Sequence, residues 1–203
     1  MAKLPTTEEI DAATAAFDPY YSAVGKVVHA WNHLQDEFAE LFCIVSGLNH
    51  SVGLAIWHAV QSDRGQREML RAAVYAACAD EEWAKKFPSA KEGIDWLLNE
   101  ANKVADRRND AIHAPCSVTI GTGDFEIIPF SFLGNPRAKK LHTKDILAEF
   151  SWYARSASVL KQYAVDVEAA LSSTRRPWPD KPRMPILEHR PSHAEPDGRN
   201  VGK

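Results

Sequence analysis

Cysteine is scarce in this 203-residue chain. The three residues present, Cys43, Cys78 and Cys116, are far apart and sit in apolar surroundings. That excludes a disulfide scaffold and a cysteine-built zinc cage, and reads as small hydrophobes in a reducing compartment. A dominant charge sign is also missing. With 24 Lys and Arg against 27 Asp and Glu, the formal charge is -3, so the overall positive field of a nucleic-acid-coating protein is absent and any such contact must be local. No stretch stays apolar for the ~18 residues a membrane helix requires. The opening residues MAKLPTTEEIDAATAAF contain no apolar run and read as neither secretory signal nor transit peptide. The expectation is a cytoplasmic protein with no membrane partner.

What is present is apolar periodicity. A hydrophobic share of 45% suits one globular domain with a sizeable core. Val24, Val27, Trp31, Leu34, Phe38, Leu41, Val45 and Leu48 recur in steps of three and four, placing one apolar seam along a long helix. A short helix is expected over Val52 to Val60, and another from Ser62 to Ala79, capped by Ser62 or Asp63. Pro88 suits the start of a fourth, running from about Ser89 towards Ile112 on Ile94, Leu97, Ala101, Val104, Arg108 and Ala111. Pro115 disfavours helix at Ala114. From Cys116 to Phe132, β-branched and aromatic residues flank Gly121-Thr122-Gly123-Asp124, a hairpin signal. Thr143 is the expected cap of a last long helix with the stripe Ile146, Phe150, Tyr153, Ala157, Leu160, Ala164, Val167 and Leu171.

The expected fold is therefore all-α: an antiparallel helical bundle with an inserted β-hairpin before the last long helix. The organisation reads as an N-terminal arm over residues 1–19, the bundle over 20–174 with the hairpin at about 116–133, and a tail over 175–203. Pro177, Pro179, Pro182, Pro185, Pro191 and Pro196 amid charge mark that tail as disordered or extended.

The stretch that carries chemistry is Asp106-Arg107-Arg108-Asn109-Asp110-Ala111-Ile112-His113, at the end of the fourth helix. Asn109 and His113, four apart, share a helix face, whereas Arg108 and His113, five apart, are separated by about 140° around the axis. Their convergence requires the helix to end before His113 or a second copy to face it across a dimer axis. Arg108, the polar Asn109 directly after it, and His113 resemble the Arg-polar-x-x-x-His motif of the HEPN (higher eukaryotes and prokaryotes nucleotide-binding) superfamily. With the flanking helices, the resemblance spans residues of about 20 to 172, and the hairpin departs from the minimal bundle.

That resemblance implies a homodimer with two copies of Arg108, Asn109 and His113 at one cleft. It also implies a metal-independent endoribonuclease of toxin–antitoxin or other defence systems, with RNA as substrate and an antitoxin or other protein as partner. In such a cleft His113 would be general base or acid, Arg108 would hold the phosphate and Asn109 would orient it, with no cofactor. A second reading needs no catalysis, since the superfamily includes members that are not nucleases. Arg108 lies on an apolar seam and there pairs with Asp36, Glu37 or Glu40, while His113 caps terminal carbonyls, giving a non-catalytic dimeric binding or assembly module.

Arg64, Arg67 and Arg71 share a face of the third helix and, with Arg107, are the candidate RNA contacts; Arg137, Lys139 and Lys140 form a second basic cluster. A solvated charged face reads the same way. His29, His33, Asp36 and Glu40 line one face of the first long helix and are taken as its polar side, with no metal assigned. Trp31, Trp57, Trp83, Trp96 and Trp152 are read as core or interface anchors; Trp178, between prolines in the tail, is read as a solvated linker residue, the alternative being an aromatic that docks on a partner or on its own domain.

Overall fold

A computed structural model describes residues 6–114, 116–120, 125–129, 135–141, 144–173 and 175–187. Helix dominates it. The order is α1 (Thr7–Ala16), α2 (Asp18–Ser46), α3 (His50–Ala59), α4 (Asp63–Cys78), α5 (Glu81–Lys86), α6 (Ala90–Ile112), β1 (Cys116–Ile120), β2 (Phe125–Pro129), α7 (Pro136–Leu141) and α8 (Ile146–Ser172). Long helix α2 is the hub, packing on α8, α4 and α3, and α6 closes the bundle against α8 and α4.

Local chemistry sets the boundaries. Pro19 near the start of α2 has the fixed φ that a first helical turn takes. Gly47 ends α2 in the left-handed region at φ 65°, returning its N–H to the Ile44 carbonyl, a conformation that costs a side-chain-bearing residue more than glycine. Ser62 caps α4 by accepting from Gly65 N–H at 3.1 Å, as the sequence led one to expect.

Four boundaries differ from expectation. Residues of the expected N-terminal arm form α1 and the first turn of α2. Helix α8 is capped by Asp145, whose carboxylate accepts from Ala148 N–H at 2.9 Å; the expected cap, Thr143, lies outside the described residues. Six-residue helices α5 and α7 form where no helix was expected. Asp80 caps α5 through Glu82 and Trp83 N–H, and Asn135 accepts from the first N–H groups of α7. Finally, residues 175–187 lack regular structure yet are anchored on the bundle, with Trp178 and Met184 packed against the core. Over these residues the extended reading of the tail holds in place of the disordered one, and Trp178 docks on its own domain rather than standing as a solvated linker residue.

Segments β1 and β2 pair antiparallel, Cys116 opposite Pro129 and Ile120 opposite Phe125. The turn at Gly121 to Asp124, on which the hairpin expectation rests, lies outside the described residues.

The core follows the seams. Val27, Trp31, Leu34, Phe38, Leu41 and Val45 of α2 are buried, whereas Leu48, past the end of the helix, is exposed. Every residue of the α8 stripe is buried, as are Ile94, Leu97, Ala101, Val104 and Ala111 of α6. Each large apolar side chain so buried contributes about 1.5–3 kcal/mol. These packed helices hold the last turn of α6 rigidly between α4 on one flank and α8 on the other.

Candidate functional site

Helix α6 ends at Ile112, and His113 follows as its C-terminal cap at φ -95° and ψ 1°, donating its backbone N–H to the Asn109 carbonyl at 3.2 Å. Leaving the helix there puts the His113 side chain in solvent. Arg108 goes the other way. Its guanidinium lies over the Trp31 ring, 4.4 Å from the centroid. Its Nη2 donates to Asn109 Oδ1 at 2.8 Å and to Asp63 Oδ2 at 3.4 Å. The described contacts of Arg108 are thus Trp31, Asp63 and Asn109, and none of them reaches His113.

Asp63 is the partner in place of the expected Asp36, Glu37 or Glu40. The three α2 carboxylates have other neighbours: Asp36 lies by His33, Glu37 by Lys161, and Glu40 by His50. Asp63, in the first turn of α4, also accepts from Trp31 Nε1 at 2.8 Å, so one carboxylate fixes both the indole and the guanidinium stacked on it. Burial pulls the Arg108 guanidinium below its ordinary range, and Asp63 opposes that shift.

Arg67 enters the same cluster. It is only 3% exposed, donates from Nε to Asn102 Oδ1 at 2.8 Å, and places its guanidinium 5.6 Å from the Trp31 centroid. Burial lowers its pKa, Asp63 acts against that, and Arg108 adds to it through like-charge repulsion. Arg67 is therefore a buried structural cation rather than a surface phosphate contact, because its side chain faces α6 and α2.

The other basic candidates divide. Arg71 is tied to Asp95 at 3.2 Å and to Asn99 at 2.8 Å, bridging α4 to α6. Arg64 is exposed. Arg107 turns towards α8, where Nη2 meets both Glu149 oxygens at 2.9 and 3.1 Å and the guanidinium stacks 4.5 Å from the Trp152 ring centroid. Lys140 holds Asp110 at 2.6 Å, pinning α7 to the last turn of α6, while Arg137 and Lys139 are exposed.

Glu149 was not singled out from the sequence. Its side chain is 2% exposed and takes Arg107 and, at 3.5 Å, Lys144, and Tyr153 donates its hydroxyl to the same carboxylate. Burial first, and then Glu149, push the Tyr153 hydroxyl far above the ordinary tyrosine range. A signal was there: Glu149 stands within the apolar stripe, flanked by Ile146, Phe150 and Tyr153, and a carboxylate at such a position implies a cationic partner.

On the outer face of α2, the His29 and His33 rings meet edge-on at 4.3 Å, and Glu40 is engaged by His50 at 2.9 Å. Among the described residues no group of three or more His, Cys, Asp or Glu side chains is arranged to hold a metal ion, and no helix is long and apolar enough to cross a membrane.

The arrangement presents an exposed imidazole at the end of α6 beside a turn whose two arginines are held by carboxylates from α4 and α8. Comparison with protein-family models, with curated proteins and with solved structures finds no match to this chain.

Proposed function

We propose that this chain is a metal-independent endoribonuclease of the HEPN type, acting in the cytoplasm as a toxin or defence effector. In this reading two copies bring Arg108, Asn109 and His113 to a shared cleft. One observation carries it: α6 stops at Ile112, so His113 stands in solvent one residue beyond the turn that holds Arg108 and Asn109. This is the helix ending that the five-residue spacing requires.

The chemistry is transesterification. The imidazole of His113 in one copy takes the proton of a ribose 2′-OH, and the 2′-oxygen attacks the adjacent phosphorus. The P–O5′ bond breaks, His113 of the other copy protonates the leaving 5′-oxygen, and a 2′,3′-cyclic phosphate remains. Arg108 offsets the charge that develops on the phosphoryl oxygens, and Asn109, already bonded to its Nη2, keeps the guanidinium aligned. Exposed Arg64 is the RNA contact that its surroundings favour. We read β1 and β2 as a hairpin inserted in the bundle directly after His113, and an antitoxin as the protein partner that covers this end.

The test is cleavage of labelled structured and single-stranded RNA by the purified chain in EDTA, beside His113→Ala and Arg108→Ala. Cleavage by the unaltered chain that both folded variants lose supports the reading; RNA left whole by a pure dimer counts against it.

A second reading has its own observation. The Asp63 contact and the Trp31 stack give Arg108 a structural role inside one chain. The protein is then a non-catalytic dimeric binding or assembly module, Arg108→Ala lowers the melting temperature, and His113→Ala leaves folding and partner binding intact.

A further inference from the structure

We propose that the groove between α6 and α8 is a peptide-binding site for a proline-flanked tryptophan, filled in cis by residues 177–185 and able to take the same segment from a second copy of this chain. The inference is independent of the nuclease reading.

The groove is built around a missing side chain. A Cβ placed on Gly93 would lie 2.6 Å from Trp178 Nε1 and 2.8 and 2.9 Å from Cζ2 and Cε2 of that indole. Only glycine lets the ring sit flat against α6 at this point. Tyr163 of α8 borders the same spot and packs edge-on against Trp96 of α6 at 5.0 Å. Beyond the notch Lys181 Nζ meets Glu92 at 2.5 Å. The segment ends on Trp152, whose Nε1 donates to the Pro185 carbonyl at 2.8 Å. Seven residues of polyproline chain from Trp178 to Pro185 reach about 22 Å, more than enough for the about 16 Å of helix between Tyr163 and Trp152. The strap therefore runs back along α8, from Tyr163 towards Trp152.

The mode of attachment is that of a ligand rather than of a core element. Four prolines, at 177, 179, 182 and 185, hold the strap extended before it docks, which lowers the entropic cost of binding. Among the described residues its polar attachments are few: the Pro185 carbonyl accepting from the Trp152 indole, the Trp178 side chain against the Tyr163 hydroxyl, and one exposed ion pair, and exposed pairs contribute about 0–1 kcal/mol. No helix or sheet ladder ties it down, so it peels away without unfolding the bundle. What keeps the site filled is the tether from α8, equivalent to a millimolar local concentration. A second copy offers the identical surface at its bulk concentration, and so occupies the groove once the cis strap is weakened.

The test uses full-length chains and a fluorescein-labelled peptide of residues 175–187. Trp178→Ala, with its own anchor removed, should bind the peptide saturably. The wild type, with its groove filled, and the Trp178→Ala, Gly93→Ala double variant, with its notch blocked, should each bind about tenfold more weakly or worse. No saturable binding to folded Trp178→Ala, or equal binding to the double variant, overturns the site. If circular dichroism shows Trp178→Ala to be unfolded, Trp178→Leu takes its place under the same outcomes. For the second copy, differently tagged Gly93→Ala chains, with the strap intact, are mixed with Trp178→Ala chains. Native mass spectrometry should show a mixed pair that is lost when the acceptor also carries Gly93→Ala. Peptide binding without that dependence assigns the groove to a different chain and overturns exchange between copies.

Discussion

Arg107 and Arg108 are neighbours in sequence, yet they leave the last turns of α6 on different flanks and meet carboxylates in different surroundings. Arg107 reaches Glu149, whose side chain is 2% exposed, through two contacts of about the ordinary hydrogen-bond length, whereas Arg108 meets Asp63, which is 44% exposed, at 3.4 Å. The difference lies in the carboxylate rather than the arginine. Glu149 has little water to fall back on, and Arg107, Lys144 and Tyr153 supply its partners instead. Asp63 keeps part of its hydration, and its hold on Arg108 is correspondingly loose. One flank is a lock, and the other is a contact that a competing anion can displace.

The sharpest way to break this contrast is Glu149→Ala. It leaves the Tyr153 hydroxyl enclosed without its acceptor and two cations without their counter-charge. The expected loss is about 3 kcal/mol, a fall in melting temperature of about 6–12 °C for a chain of this size. Scanning calorimetry decides it, and wild-type melting would mean that the buried carboxylate holds nothing together.

Alkaline pH probes the same flank. The Tyr153 hydroxyl is raised by burial and by Glu149, and Tyr20 is pushed up to about 12, first by burial and then by Cys116. Both groups keep their protons in the fold after the unfolded chain has lost them. The native state therefore binds more protons above the ordinary tyrosine pKa near ~10, and stability is full below that pH and falls as pH rises through the folded values. Each tyrosine contributes a slope of about 1.4 kcal/mol per pH unit in that window. Urea titrations at pH 8, 10 and 11 should show the fall, made smaller in Tyr153→Phe by the share of that tyrosine, while Tyr20 and the other raised tyrosines and thiols supply the rest; a slope unchanged by the substitution would place the alkaline sensitivity elsewhere.

How much of this could be read beforehand depends on the range of the interaction. The α2, α6 and α8 seams were legible because burial repeats along one helix, and the helix end before His113 because Pro115 stands two residues on. Helices α5 and α7 were not, since six residues are too few to show a period. The Arg108 partner was sought on α2. It lies on α4 because Asp63 is already aligned by the Trp31 indole, a pairing of residues far apart in sequence that no local pattern announces. The strap misled for a physical reason: proline and charge lower the capacity to pack, but one tryptophan and a glycine notch on another helix restore it.

On the looser flank, Asp63→Asn should cost about 1 kcal/mol or less, because the side chain is half-exposed and an amide oxygen still accepts from Trp31. The change also frees Arg108 from its counter-charge. Under the nuclease reading the RNA phosphate then competes with nothing, so binding tightens and its salt dependence steepens; under the assembly reading only the small loss of stability appears. Filter binding at two salt concentrations beside a urea melt separates the two.

The smallest stability effect belongs to His113→Ala, and it is the most informative for function. The imidazole is exposed and makes no described side-chain contact, and the cap itself is a backbone N–H bonded to the Asn109 carbonyl, which alanine retains. Folding should change by no more than about 0.5 kcal/mol, in contrast with Arg107, whose removal strips a partner from the enclosed Glu149. A residue whose loss leaves the bundle untouched but abolishes RNA cleavage is there for chemistry. If His113→Ala instead melts several degrees below the wild type, the imidazole is part of the helix end, and the contrast between two partnered arginines and a free histidine fails at the residue on which the nuclease reading depends.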